Sequence, residues 1–212
     1  MIPTHYKVFD VSMPIFNGMP VYKDKPAKQP NISVVQDFDT ATARESRLDM
    51  DVHCGTHIDS PLHMVPGGGT MEVIPVETLV GPCRVLDMTH VEGGISRADL
   101  ETQNIQQGEF LLLKTKNSAE SVFNLEFVYL AVDGAEYLVE RGIRGVGIDA
   151  LGIERAQTGH PTHKTLFQSN IVIMEGLRLA DVQAGDYFLC GAPIKVLETE
   201  AAPARVLLLQ FS

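Results

Sequence analysis

Residues 53 to 63 read His53-Cys54-Gly55-Thr56-His57-Ile58-Asp59-Ser60-Pro61-Leu62-His63, three histidines and an aspartate within eleven positions. Two imidazoles and a carboxylate form a ligand set that zinc or manganese accepts while keeping a coordination position open for chemistry. The whole chain holds only 7 histidines, so this density points to a metal site rather than to scattered core or surface residues. A purely structural zinc site would be closed by four ligands, often cysteines, and Cys54 alone is near. A second cluster, Gly159-His160-Pro161-Thr162-His163, precedes an apolar run ending Ile173-Met174-Glu175. His163, with His160 as its competitor, and Glu175 are candidates to hold a second ion bridged to the first by Asp59.

The spacing indicates the backbone that presents these groups. On a helix His53 and His57 would share a face, but Asp59 would lie about 240° round from His53. Pro61 and the Gly55-Thr56 pair also oppose a helix. All four side chains are separated by even steps, so an extended chain kinked at Gly55 can point them one way. Residues 47–53 alternate, with Leu48, Met50 and Val52 on one face and Asp49, Asp51 and His53 on the other. This predicts a strand running out into a loop that carries the ligands. Asp49 and Asp51 then either orient histidines or are solvated. Cys54 falls on the opposite face and reads as a packed thiol, because the histidine beside it is occupied as a ligand. Gly67-Gly68-Gly69 lacks the Lys-Ser/Thr of a phosphate loop and reads as a mobile flap beside the ligand loop. Phe16, Met19 and Tyr22 either line a pocket or pack; Phe16 and Tyr22 are the candidate substrate-binding residues.

The elements around this segment are mostly strands. Tyr6 to Ile15 alternates before Pro14, Gly18 and Pro20 break the pattern. Cys83–Leu86, Phe110–Leu113, Asn170–Met174, Tyr187–Cys190 and Val206–Leu209 are short apolar runs of the kind that form buried strands. Asp133 and Glu136 suggest a capping box for a helix whose apolar stripe is Ala135, Leu138 and Val139 and whose stop is Gly142. Val146-Gly147-Ile148 follows as a strand ending at Asp149, and Ser96, Asp99 and Leu100 mark a second, shorter helix. Interleaved strands and helices give an α/β class with a mixed sheet. At 212 residues the chain is read as a single domain, 1–212.

Seventeen Lys and Arg against 27 Asp and Glu give a net charge of −10, with no basic run, which argues against nucleic acid and anionic membranes as partners. No apolar run reaches the roughly 18 residues needed to span a bilayer. The opening Met1–Lys7 stretch has no secretion pattern. Cys54, Cys83 and Cys190 are odd in number and unpaired in spacing, so they read as reduced thiols of a cytoplasmic protein.

The motif His-x-Gly-Thr-His-x-Asp-x-Pro-x-His, matched at His53, Gly55, Thr56, His57, Asp59, Pro61 and His63, resembles the cyclase family of metal-dependent hydrolases, which includes bacterial kynurenine formamidase and isatin hydrolase. Met19 to Tyr22, the unit ending Gly147-Ile148-Asp149 and the late His…Glu pair extend the resemblance over most of the chain. It implies an α/β fold of the swivelling β/α/β type and a homodimer or homotetramer. It also implies that His53, His57 and Asp59 hold one divalent ion, that His163 and Glu175 complete a second, and that His63 is the general acid/base. The chain departs from the family pattern in three places. Tyr22 stands where a tryptophan is usual, Ala150-Leu151-Gly152 replaces small polar residues, and Glu-Asn-Leu becomes Glu175-Gly176-Leu177. The first two touch the expected substrate pocket.

The activity expected is hydrolysis of an amide-type C–N bond in a small molecule, a formamide or cyclic amide. One or two ions, zinc first and manganese second, would activate water while His63 shuttles the proton. Two alternatives are a metal-dependent lyase or cyclase acting on a small carbonyl compound, and a non-catalytic metal-binding protein.

Overall fold

The computed structural model describes residues 5–211; Met1–Thr4, part of the stretch read for a secretion signal, lie outside the described residues. In chain order the first strands are β1 (Tyr6–Asp10), β2 (Asn31–Gln36), β3 (Glu45–Asp49), β4 (His57–Asp59) and β5 (Val80–Asp87). β6 (Gly94–Ile95), β7 (Phe110–Lys114), β8 (Tyr129–Leu130) and β9 (Gly145–Ile148) follow. β10 (Val172–Glu175), β11 (Gly185–Cys190), β12 (Ala201–Pro203) and β13 (Leu207–Phe211) complete the set. Three helices, α1 (Arg97–Glu101), α2 (Val132–Arg141) and α3 (Pro161–Gln168), lie among them.

Nine strands form one sheet in the order β1-β13-β11-β5-β7-β9-β10-β4-β12. β5, β7, β9 and β10 run parallel at its centre, while the strands on both flanks pair antiparallel. The sheet is therefore mixed, as the interleaved pattern implied. β7, β9 and β10 are buried on both faces, which is why their sequences are nearly unbroken apolar runs, whereas β5 alternates buried and exposed residues. Leu111, Leu113, Val146, Ile148 and Ile173 pack into one core layer with Leu100, Leu138 and Leu166 from the three helices. Phe110, Leu112 and Met174 face the other layer with Ile58, Tyr187 and Leu208. β9 can lie between β7 and β10 only because it carries glycines. A Cβ at Gly145 would fall 2.3 Å from the Phe110 ring, and one at Gly147 would fall 2.7 Å from Leu112 Cδ2.

Several local expectations change. The capping box is at α1, where Ser96 and Asp99 exchange bonds. At α2 the cap is Ala131, with no side-chain bond, and Asp133 instead accepts from Arg97 N at the start of α1. Gly142 does stop α2 in a left-handed turn. The first strand ends at Asp10 rather than Ile15. The strand expected over 47–53 is β3, ending at Asp49; it pairs with β2 in a hairpin whose β3 residues are all exposed. Of the alternating apolar residues Leu48 faces solvent, while Met50 lies past the strand end and packs beside Met19 and Cys54, and the chain turns before it reaches His53. α3 has no counterpart in the sequence reading, because its cap position is His160 and its start is marked only by Pro161.

The tight β7–β9 packing has a measurable consequence. Gly147→Ala drives a methyl group against both Leu112 and Leu177. It is expected to lower unfolding stability by about 1–3 kcal/mol, seen as a reduced denaturant midpoint at unchanged slope.

Candidate metal centre

Strand β4 sits between β10 and β12, in register with Glu175 opposite His57 and Ile173 opposite Asp59. Because side chains alternate along a strand, His57 and Asp59 project from the same face, as their spacing implied. The chain enters β4 through a kink at Gly55, φ +70°, and leaves β10 through Gly176, φ +72°. A Cβ on Gly176 would meet the Gly55 carbonyl at 2.3 Å, so the two ligand segments touch backbone to backbone. Thr56 Oγ1 ties them further, donating to the Gly176 carbonyl at 2.6 Å.

His53 comes from the turn ahead of β4. The Asp51 carboxylate accepts from His53 N at 2.8 Å and lies 3.3 Å from the Lys28 ammonium. Asp51 thus shapes the turn through the backbone and does not contact an imidazole, and Asp49 is exposed. His163 arrives from the first turn of α3.

These groups converge on one buried point. His53 Nδ1 lies 2.9 Å and His57 Nε2 3.4 Å from Asp59 Oδ1. His57 Nε2 is 3.4 Å from Glu175 Oε2. His163 Nε2 is 3.3 Å from Glu175 Oε1 and 3.6 Å from Asp59 Oδ2. His57 Nε2, His163 Nε2 and both Asp59 oxygens are buried with no hydrogen-bond partner among the described residues. Polar atoms left in that condition are costly unless a cation joins them. His53, His57 and Asp59 offer donor atoms within 4.8 Å of one another, and so do Asp59, His63 and His163. The residues therefore fit a divalent metal.

The outer hydrogen bonds point the same way. His57 Nδ1 is 2.9 Å from the Gly55 carbonyl, an acceptor, so this nitrogen carries the proton and Nε2 presents its lone pair. His163 Nδ1 is 2.8 Å from Glu154 Oε1, which sets the same tautomer. Such partners fix ring orientation and raise ligand basicity. Glu154 is held in turn by Thr162 N at 2.9 Å and by His160 Nδ1 at 2.9 Å. Sequence left His160 and His163 as rivals. The structure aims His163 at Asp59 and Glu175, while His160, 41% exposed, turns to Glu154. The sequence reading missed Glu154, and no motif marks it. Glu200 Oε1, 3.5 Å from His53 Nε2, was missed for the same reason.

His63 occupies a short turn, Pro61–His63, with its ring centroid 4.1 Å from that of His53 and 5.6 Å from that of His163. Burial pushes its pKa down to about 4. The Gly67–Gly69 run is pinned rather than free beside it. Leu62 N donates to Gly69 O at 3.0 Å, and a Cβ on Gly68 would strike the Pro61 backbone at 2.7 Å. Cys54 is buried, 3.5 Å from Met19 Sδ, and burial raises its pKa to about 11, as fits a packed thiol. Tyr22 is half-buried, with its hydroxyl accepting from Ala156 N at 3.3 Å, and it feels the charges of Glu175, His163 and Glu154. Phe16 is 47% exposed on the preceding loop.

The Cyclase family model matches residues 9–155. The chain belongs to this family. It is 28% identical over 201 residues to the kynurenine formamidase of Bacillus cereus, covering 94% of this chain and 95% of that protein. To the kynurenine formamidase of Sphingopyxis alaskensis it is 26% identical over 208 residues, covering 97% and 99%. Among solved structures, one described as a predicted metal-dependent hydrolase from Bacillus stearothermophilus is 57% identical, with TM-score 0.89 and 97% and 99% coverage. The isatin hydrolase A of Labrenzia aggregata is 21% identical with TM-score 0.83, covering 98% and 94%, and so shares the fold.

Without a cation, protons must balance the two carboxylates. Burial opposes charge on His57, yet Glu175 and Asp59 raise its pKa from the ordinary 6.5 to about 9. His163 is raised as well, against its burial, by Asp59, Glu154 and Glu175. A histidine raised in the folded state adds stability that is complete below pH about 6.5 and disappears as pH climbs through about 9. Chelator-treated protein should therefore melt several degrees lower at about pH 9.5 than at about pH 6.5. Restoring zinc or manganese should close that gap, because the ion replaces the protons. Scanning calorimetry at the two pH values, with and without metal, reads the difference.

Proposed function

We propose that the chain is a metal-dependent hydrolase that cleaves an amide-type C–N bond in an aryl formamide or a cyclic amide. The observation that carries this reading is the set of buried, unpartnered donor atoms on His57, Asp59 and His163, with His63 beside them and neutral. The names of the curated relatives agree with it. His53, His57 and Asp59 would hold one divalent ion, and His163 and Glu175 would complete a second site beside Asp59. Zinc and manganese both suit three imidazoles and two carboxylates. Bound there, the metal supplies an acidified water and polarises the substrate carbonyl.

The chain's own groups do the rest. His63 Nδ1 or Nε2 has a free lone pair at neutral pH, so it accepts a proton from the attacking water. The imidazolium then donates that proton to the departing nitrogen, which completes general base and general acid in one residue. Its depressed pKa suits the second step, since a strongly acidic imidazolium gives up its proton readily. Tyr22 stands at the edge of the site with its ring edge-on to Phe123, at 5.3 Å between centroids, and forms one wall for an aryl group. Phe16 lies farther out and contributes at the entrance.

The same reading takes a small molecule as substrate and places the protein in the cytoplasm, a location supported by three free cysteines, Cys54 and Cys83 among them buried. No helix among the described residues is long and apolar enough to cross a membrane. Assembly into a homodimer or homotetramer is supported by the β2–β3 hairpin, which exposes Ile32, Val34, Val35, Phe38 and Leu48. Five apolar side chains on one solvated ribbon form the kind of patch that subunit contacts bury.

Purified protein is expected to contain zinc or manganese and to hydrolyse N-formylkynurenine or formanilide in a chelator-sensitive manner. His63→Ala should keep its metal by elemental analysis yet lose roughly 10²- to 10⁴-fold in kcat. Full activity in that variant would remove His63 from the mechanism. Sedimentation of the wild-type protein should give a multiple of 23.2 kDa, and Val34→Glu with Phe38→Glu should shift it toward the monomer.

A further inference from the structure

One strand over from the metal ligands lies a second cavity, at the C-terminal ends of β7 and β9. It is bounded by Pro20, Phe123, Phe127, Ala150, Leu151 and Arg178. Its free volume of about 30 Å³ admits one small polar group rather than a ring. Carboxyl ends of parallel strands are where open α/β sheets place their ligands. β9 and β10 are neighbours in the sheet, so the strand that ends at the cavity runs beside the strand that carries Glu175. Tyr22 joins the two, touching Phe123 on one side and feeling Glu175 and His163 on the other.

The cavity holds an unspent charge. Arg84, Arg97, Arg144, Arg155 and Arg178 are half-buried. The first four bind carboxylates or backbone carbonyls. The Arg178 guanidinium has no hydrogen-bond or ion-pair partner among the described residues. Asp149 is the nearest candidate, but its oxygens are taken by Thr115 N at 2.9 Å, Thr115 Oγ1 at 2.7 Å and Ser118 Oγ at 2.6 Å. Burial accordingly lowers the Arg178 pKa, with Asp149 offsetting this only from a distance. A fork of donors that is half-buried and has no partner among the described residues is suited to a carboxylate brought by a ligand. Glu120, exposed at the cavity rim, would face an ammonium group beside that carboxylate.

We infer that Arg178 is a specificity-determining residue that binds the carboxylate of an amino-acid-bearing aryl amide whose scissile bond lies at the metal centre. The inference rests on the amide-hydrolase reading above. The aryl ring lies along Tyr22, Phe123 and Leu151, and the amino-acid end reaches the cavity. Ala150 and Leu151, which replace small polar residues of the family pattern, supply its apolar side, and Arg178 follows the altered Glu175-Gly176-Leu177 turn.

The test compares N-formylkynurenine, which carries the carboxylate, with formanilide, which lacks it. For Arg178→Gln, KM for N-formylkynurenine should rise roughly 10- to 100-fold with kcat nearly unchanged, while both constants for formanilide stay put. Arg178→Lys should recover part of the loss. Equal effects on the two substrates, or none, overturn the assignment. If the wild type cleaves formanilide but not N-formylkynurenine, the carboxylate subsite falls and amide hydrolysis stands. If neither is cleaved, the hydrolase reading falls, and calorimetric titration of L-kynurenine into the metal-loaded protein decides the subsite. Binding that Arg178→Gln abolishes supports it; no binding, or equal binding, overturns it.

Discussion

Asp59 and Glu175 are buried carboxylates on adjacent antiparallel strands, aimed at the same point, and most of the surrounding architecture follows from having to keep them there. Two like charges out of water repel, and each also carries a desolvation cost of several kcal/mol that only nearby positive charge can offset. His57 and His163 can supply that charge as imidazolium ions, or a divalent ion can supply it while the imidazoles stay neutral. The fold favours the second solution. Gly55 O and Glu154 occupy the outer nitrogens, which leaves inward lone pairs aimed at one point, where a single divalent ion can meet several of them and both carboxylates at once. The glycine contact between Gly55 and Gly176 serves the same end, because any side chain there would separate the strands that carry the two carboxylates.

The same small volume pushes like residues in opposite directions. His57, facing two carboxylates, is raised to about 9, while His63, stacked over His53 at the rim, is lowered by burial to about 4. Environments that separate the behaviour of identical side chains divide ligand from proton carrier. His63 is close enough to Asp59 to belong to the cluster, but its burial outweighs the pull of Asp59 and Glu175 on its proton. That position comes from the short turn at Pro61–His63, which the Gly67–Gly69 segment braces from beneath.

The sequence made the metal centre legible where its geometry is local. The two-residue step from His57 to Asp59 is a property of any strand, and Gly55 does supply the kink. The parallel strands were legible too, since burial on both faces leaves unbroken apolar runs such as Phe110–Leu113. The reading failed where alternation occurred without burial. Leu48 lies on a hairpin exposed to solvent, and Met50 and Val52 continue its alternation beyond the strand, so the pattern reported a strand but misplaced its end, and His53 comes from a turn. Glu154 could not be read at all. Its role depends on α3 beginning at Pro161 so that His163 faces inward, and that helix has no capping side chain to announce it.

The sheet itself divides binding from chemistry. The candidate metal ligands come from the turn ahead of β4, from β4 and β10, and from the helix between β9 and β10, with β4 and β10 tied together by strand register and by backbone contact. Little can change there without moving a carboxylate. At the neighbouring ends of β7 and β9, Asp149 is anchored by neutral donors and the Ala150 carbonyl accepts from Gly176 N at 2.7 Å, while Ala150 and Leu151 border the cavity. A side-chain change at Ala150 or Leu151 would reshape the cavity and leave that backbone bond in place. A rigid half built from register beside a half whose loop side chains can vary is a physical basis for separating what would hold an ion from what would select a substrate.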